Sequence, residues 1–189
     1  MKNIISKAKK EFYKVVDNNG YDPFHMKTHL PEVERWAKFL LKRYKDANKE
    51  ITLLGVWLHD IGHYIKSEED DHSIVSEKKA KEFLEKQNYS KEKLKKVLHC
   101  VRSHRCRDIK PKTIEAKIVA GADSASHITE ITYFDILKRG HLKNNEKYLK
   151  SKMKRDFNDI SKFPELKEEL KDMYHSWLNL IKDYKKIDY

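Results

Sequence analysis

Ionisable side chains interrupt the most apolar segments of the sequence, where they could bind a metal ion. Asp60 follows Val56 by one helical turn, so its carboxylate is expected to point the same way as core side chains, and His59 is its neighbour. Asp123 stands one turn after the apolar Val119. A buried carboxylate is unfavourable unless it is paired, hydrogen-bonded or bound to a metal ion. These two aspartates are therefore candidates for chemistry.

Two further histidines stand on apolar helical faces. His104 extends the stripe that contains Val101, and His72 shares a face with Ala80 and Phe83. One buried histidine is usually a satisfied core residue, but several together with two inward carboxylates are hard to explain in that way. Imidazole nitrogens and carboxylate oxygens suit Mn, Fe, Co, Ni or Zn, with Mg possible. The pattern predicts one divalent cation shared by separate helices.

The two cysteines offer an alternative metal site. Cys100 and Cys106 stand close to His99 and His104, which is ligand-type spacing for a structural zinc. Four ligands from one helix end rarely close a tetrahedron, so two reduced thiols are the better interpretation. With no C-x-x-C pair, a reduced and cytoplasmic protein is expected.

The elements that carry these residues are predicted to be helices. Five glycines and four prolines in 189 residues leave few turns, and Lys, Glu and Leu are abundant. A helix apolar on all sides at 51–61 is expected at the centre of a bundle. Apolar spacing predicts the other helices at 4–17, from Pro31 onward, 72–87, 91–105, 113–126, 143–157 and 162–187. This predicts an all-α protein, with a helical domain at 1–140 and a C-terminal helical extension, 141–189, packed on it.

Composition limits the partners. The formal net charge is +11, which favours anionic partners, although a lysine-rich solvated surface is the preferred explanation of the charge. The longest apolar run, 51–58, is too short to cross a membrane, and the N-terminus does not resemble a signal peptide. A membrane partner is therefore not expected, and the oligomeric state is not predicted.

The order of these residues resembles the HD-domain superfamily of metal-dependent phosphohydrolases, in particular its small uncharacterised bacterial and archaeal branch. His29 stands in H-x-x-x-V before a predicted helix, and His59-Asp60 stands in LHDIGH. A segment from Ser103-His104 to Ala122-Asp123 is similar to the one that leads to the last ligand in that branch. The resemblance covers about residues 22–126 and implies a helical HD-domain bundle.

The resemblance also implies roles for individual residues. His29, His59, Asp60 and Asp123 would hold the metal ion. His72 and His104 are similar to histidines that bind a second metal in some branches and line the phosphate pocket in others, and simple packing is the third interpretation.

Other implied roles concern catalysis and substrate binding. Asp60 or Asp123 would accept the proton of the water, and His63 or His104 would protonate the leaving oxygen. A helix C-terminal histidine is the plain alternative for His63. His25 would orient His29, while Asp22 would either do the same or cap the loop. Arg105 and Lys110 would clamp phosphate oxygens, with a solvated surface as the alternative.

The expected activity is hydrolysis of a nucleotide or another small phosphate ester by a metal-activated water. Ser124 departs from the Arg or Leu that often follows the last ligand in this family, which bears on the substrate and not on the metal. Two other functions stay open. One is an HD-type regulator that binds metal and nucleotide without turnover. The other is a basic helical nucleic-acid-binding protein, which is less favoured because the sequence has no helix-turn-helix or zinc-finger signature.

Overall fold

Helices form all the regular structure that is described. In this computed structural model, which describes residues 3–69, 71–139 and 142–184, those residues form nine α-helices, one short 3-10 helix and no strand, so the all-α prediction is confirmed. None of these helices has both the length and the apolar character that crossing a bilayer requires. The α-helices are α1 (Ile4–Asn18), α2 (Met26–Leu41), α3 (Lys49–Leu58), α4 (His72–Lys86), α5 (Lys91–Ser103), α6 (Ile114–Thr129), α7 (Thr132–Arg139), α8 (Leu142–Ile160) and α9 (Pro164–Tyr184), with the 3-10 helix at Ile61–Tyr64 between α3 and α4.

The chain divides into two compact units, Met1–Asp123 and Ser124–Tyr189, and α6 continues from the first into the second. In the first unit α3 contacts α1, α2, α4 and α5. The domain boundary predicted between residues 140 and 141 falls on residues outside the described ones. The division into 1–140 and 141–189 therefore stays a prediction.

Helix α3 is the core of the first unit. Every residue from 51 to 58 is buried, and the Asn48 side chain accepts hydrogen bonds from Glu50 N and Ile51 N at the start of the helix. Gly55 lets the neighbouring helices approach closely, because a Cβ there would lie 2.8 Å from Cys100 Cβ and 3.0 Å from Val119 Cγ2. The C-terminal end of α3 is therefore held firmly between its neighbours.

Helix α2 starts earlier than the sequence predicts. Its first residue is Met26, so Pro31 lies inside the helix and not at its first turn. The cause is Asp22, whose carboxylate accepts hydrogen bonds from Met26 N (2.9 Å) and Lys27 N (3.0 Å) and so satisfies two donors at the helix start. The correction places His29 within the first turns of α2 instead of in a loop before it.

A buried carboxylate ties the first three helices together. Glu34 of α2 accepts hydrogen bonds from Lys9 Nζ (2.6 Å) of α1 and Trp57 Nε1 (2.9 Å) of α3, and it pairs with Lys38 (2.8 Å). Burial alone would raise the pKa of Glu34, but the two lysines outweigh it and lower the pKa. These contacts fix the position of α2 along α3, on which the geometry of the site described below depends.

The second unit contains a helix that the sequence analysis missed, α7, followed by α8 and α9, which contact each other. A buried polar cluster joins α6, α7 and α8. Asp156 accepts hydrogen bonds from Tyr133 Oη (2.7 Å) and Lys152 Nζ (3.0 Å), and His127 Nδ1 lies 3.4 Å from the same carboxylate. Trp177 of α9 donates to the carbonyl of Ile128 (3.0 Å).

Replacing Asp156 with Asn is expected to destabilise the protein by about 2 kcal/mol, because Lys152 loses a buried charged partner. Burial raises the pKa of Asp156, but Lys152, His127 and Tyr133 outweigh it, so the folded pKa is below the unfolded one. Such a carboxyl stabilises the fold above its unfolded pKa, and the contribution is lost as the pH falls through the folded pKa. Urea unfolding at pH 7 and pH 3 measures this; an equal loss at both pH values would contradict the assignment.

Candidate metal centre

The end of α3 brings two neighbouring side chains to one place. The α-helix stops at Leu58, His59 keeps helical angles (φ −66°, ψ −34°), and Asp60 leaves them (φ −112°, ψ 7°) before the 3-10 helix starts. The helix predicted over 51–61 therefore begins two residues late and ends three residues late. The change of backbone at Asp60 lets the His59 and Asp60 side chains face the same buried position instead of diverging around a helix.

Four buried residues, from α2, the segment that follows α3, and α6, meet there, and they are named the first His/Asp group: His29, His59, Asp60 and Asp123. His29 Nε2 lies 3.2 Å from Asp123 Oδ1 and 3.8 Å from Asp60 Oδ2. His59 Nε2 lies 3.4 Å from Asp60 Oδ2 and 3.6 Å from Asp123 Oδ1. Ligands held about 2.1 Å from one tetrahedral ion are about 3.4 Å apart. The spacing of the group therefore fits a single metal ion.

The orientation of His59 supports the same fit. Its Nδ1 lies 2.8 Å from the carbonyl oxygen of Val56, so the neutral ring carries its proton on Nδ1 and has a lone pair on Nε2. Within the described residues this buried Nε2 has no hydrogen-bond partner. Burial opposes protonation of His59, but Asp60 and Asp123 outweigh it and raise the pKa. The position attracts positive charge, as a metal site does.

The other oxygen of Asp60, Oδ1, faces three further histidines. Together these residues are named the second His/Asp group: Asp60, His63, His72 and His104. Asp60 Oδ1 lies 3.2 Å from His72 Nε2, 3.3 Å from His104 Nε2 and 3.9 Å from His63 Nε2. The Nε2 atoms of His72 and His104 are 3.3 Å apart. His104 Nδ1 lies 2.6 Å from the carbonyl of Val101, so its neutral ring also presents a lone pair on Nε2.

Electrostatics in the second group favour an ionised Asp60 carboxylate beside neutral His63 and His104 rings. Burial raises the pKa of Asp60, but the surrounding histidines outweigh it and hold the pKa well below its usual range. Burial lowers the pKa of His63 to about 4 and also lowers that of His104. Ionised carboxylate and neutral imidazole are the forms that bind metal ions.

A glycine allows the 3-10 helix to lie close to the start of α4, which brings two parts of the second group together. Gly62 N donates to Ser76 Oγ (2.9 Å), and a Cβ at Gly62 would lie 2.4 Å from the carbonyl oxygen of His72. The first turn of α4 therefore rests on the backbone of the 3-10 helix. This contact holds His72 against Asp60.

Aromatic rings lead from the second group to the surface. The His63 ring stacks on His72 (centroids 3.8 Å apart, 23° between planes) and also contacts the ring of Phe24 (4.6 Å, 37°). Phe24 is 45% exposed although it is a large apolar residue. An accessible ring thus stands directly beside the His/Asp groups.

Three other residues singled out in the sequence have defined surroundings. Arg105 donates to the carboxylate of Asp71, and exposed Lys110 donates to the carbonyl of Cys106. His25 is exposed, has a left-handed backbone (φ 53°) at the start of α2, and accepts the backbone hydrogen bond of His29 N (3.0 Å). The roles of all three toward substrate or metal stay predictions.

The alternative zinc site gains no support. Among the described residues, no group of three potential ligands includes a cysteine. Cys100 is buried, and burial raises the pKa of its thiol. His99 Nε2 accepts a hydrogen bond from Lys112 N (2.9 Å), and His104 belongs to the second His/Asp group.

Sequence reasoning missed Asp71 and Phe24. An aspartate directly before a predicted helix is a typical N-cap, so the position of Asp71 before His72 was a usable signal. An exposed phenylalanine in a loop carries no such signal, because only the fold places it beside His63.

The comparisons with known proteins agree with this geometry. A family model of the HD domain matches residues 26–127, more than half of the chain, and this stretch contains both His/Asp groups. No curated protein and no solved structure matches the chain. The matched stretch and the convergence of its histidines and aspartates show that the chain belongs to the HD domain family.

Proposed function

We propose that the protein is a metal-dependent phosphohydrolase that acts on a small phosphate ester, namely a nucleotide. HD-domain proteins are mostly metal-dependent hydrolases of phosphate-containing substrates. The observation that carries the proposal is the meeting of His29, His59, Asp60 and Asp123 within 4.8 Å of one another, all buried. The net charge of +11 suits an anionic substrate.

The first His/Asp group would hold the catalytic cation. A bound divalent ion supplies hydroxide at neutral pH, since it lowers the pKa of water from ~15.7 towards ~7, and it offsets charge on a phosphoryl oxygen. Asp60 and Asp123 are the carboxylates placed to accept the proton of the water. His63 and His104 are the histidines predicted to protonate the leaving oxygen, but burial lowers the pKa of both, so they suit metal binding better than proton donation at neutral pH.

The second His/Asp group would hold a second cation, with Asp60 shared between the two. Its donor atoms lie 3.2–3.9 Å from Asp60 Oδ1, a spacing close to that of the first group. We therefore expect two metal ions for each chain at saturation.

Metal analysis and a substrate panel test the proposal together. Purified protein is assayed for Mn, Fe, Co, Ni, Zn and Mg, and phosphate release is then followed from nucleotides and phosphomonoesters with each ion, before and after chelation. Stoichiometric metal and chelator-sensitive hydrolysis are expected. Tight nucleotide binding without product would instead indicate the regulator, and salt-dependent nucleic-acid binding that survives chelation would indicate the nucleic-acid-binding protein.

Phe24 supports a nucleotide over other phosphate esters, because a nucleobase could stack on a ring that adjoins His63. Replacing Phe24 with Ala is expected to raise KM for AMP by about 30-fold, since stacking of a base on an aromatic side chain contributes about 2 kcal/mol. Ribose 5-phosphate has the same phosphate and sugar without a base, so its kcat/KM should not change. Equal losses for both substrates would contradict base stacking, and Phe24→Trp should retain the low KM for AMP.

A further inference from the structure

An ion pair stands directly beside two histidines of the second His/Asp group. Asp71 precedes His72 at the start of α4, and Arg105 follows His104 at the end of α5. Arg105 Nη1 donates to Asp71 Oδ1, and the two side chains are 18% and 29% exposed. The pair therefore joins the two chain positions next to the histidines whose Nε2 atoms are 3.3 Å apart.

Asp71 also fixes the first turn of α4. Its Oδ1 atom accepts hydrogen bonds from Ser73 N (2.9 Å) and Ser73 Oγ (2.7 Å), which makes it the N-cap of the helix. Ser73 Oγ in turn accepts from Arg102 Nη1 (3.0 Å) of α5. Since terminal residues of a helix fray unless they are capped, His72 depends on these contacts for its position.

We infer that Asp71 and Arg105 are positioning residues that hold His72 and His104 at the separation that a second cation needs. The inference rests on the proposed second ion. It gives Arg105 a role different from the predicted phosphate clamp, because its guanidinium already binds a carboxylate that orders α4. A phosphate clamp would change KM for a phosphate ester without changing metal content, whereas a positioning residue changes the affinity for the second ion.

The test compares Mn²⁺ binding by wild type, Arg105→Gln, Asp71→Asn and Arg105→Lys. Full-length metal-free protein is titrated with Mn²⁺, and bound ions are counted after equilibrium dialysis. Removal of groups that orient metal ligands typically weakens binding 10–100-fold. We expect Arg105→Gln and Asp71→Asn to bind the second ion at least about 10-fold more weakly. The first ion should keep its affinity, and Arg105→Lys should recover most of the loss. Arg107→Gln, a change at an exposed neighbour, is the control and should bind like wild type.

Three results would overturn the inference. In the first, Arg105→Gln and Asp71→Asn bind both ions as wild type does, with only KM for AMP changed in Arg105→Gln. In the second, both variants lose both ions, which is a general structural defect and not positioning of two histidines. In the third, wild type binds one ion alone. That result would contradict both the second ion and the positioning role of the two residues, but it would leave the proposal of a single-ion phosphohydrolase standing. Circular dichroism of each variant shows whether it is folded, and Asp71→Asn decides the outcome if Arg105→Gln is not.

Discussion

Replacing Asp60 with Asn is expected to remove hydrolysis almost completely, with kcat at least about 1,000-fold lower. Asp60 is the one side chain common to both His/Asp groups, with one oxygen towards His59 and the other towards His72. The amide has nearly the same shape but carries no charge and only one oxygen, so it cannot hold cations on both sides. A loss of about 4 kcal/mol of transition-state stabilisation corresponds to this factor.

Metal content and stability separate a ligand role of Asp60 from a structural one. The variant should bind less than half of the metal of wild type. Metal-free Asp60→Asn should keep the circular dichroism of metal-free wild type but unfold at a lower urea concentration at pH 7, because the histidines that lower the pKa of Asp60 lose their ionised partner. Asp46→Asn, at an exposed position, is the matched control. Retention of both metal and more than a tenth of the activity would refute the assignment.

Replacing Gly62 with Ala should have the second largest effect, on both activity and stability. The new Cβ would lie 2.4 Å from the carbonyl oxygen of His72 and 2.7 Å from Ser76 N, both backbone atoms of α4. Since backbone atoms cannot rotate away as a side chain does, α4 must move, and His72 moves away from Asp60 with it. We expect a loss of about 3 kcal/mol in the free energy of unfolding. We also expect kcat to fall on the order of 100-fold, a barrier increase of about 2.7 kcal/mol.

Gly20→Ala is the control for this substitution. A Cβ at Gly20 would meet nothing within 4 Å, and its φ of 71° makes the substitution strained by about 1 kcal/mol without any steric contact. Urea unfolding and steady-state kinetics should show a small stability loss and unchanged activity for Gly20→Ala. A Gly62→Ala enzyme as active as wild type would show that α4 tolerates the displacement.

The spacing of apolar residues was sufficient to predict most helices, and the residue types were sufficient to predict a cluster of histidines and aspartates. The apolar spacing around Asp60 and Asp123 predicted inward carboxylates, and both are buried. The spacing could not show where α3 stops, because the change of backbone at Asp60 is stabilised by packing against α4 and not by a Gly or Pro in the helix. The start of α2 was misplaced for a similar reason, since Pro31 is a common first-turn residue and the capping by Asp22 was considered only as an alternative.

The composition of the site depended on two kinds of information. Residue types and helical faces pointed to His59, Asp60, His72, His104 and Asp123, while His29 came only from the family resemblance. Neither source could show that Asp60 directs one oxygen to each group, because this follows from the tertiary approach of α4 and α5. The ring of Phe24 beside His63 is likewise a product of tertiary structure.

Sharing the carboxylate of Asp60 between two cations would have a thermodynamic consequence for their binding. Two divalent cations held beside the same carboxylate would repel each other and share a single negative charge, so binding of one would weaken binding of the other. This penalty is reciprocal, whichever ion arrives first. Protein with one bound cation should therefore persist over a broad range of free cation concentration. The concentration of divalent ions would then set the fraction of protein that binds two.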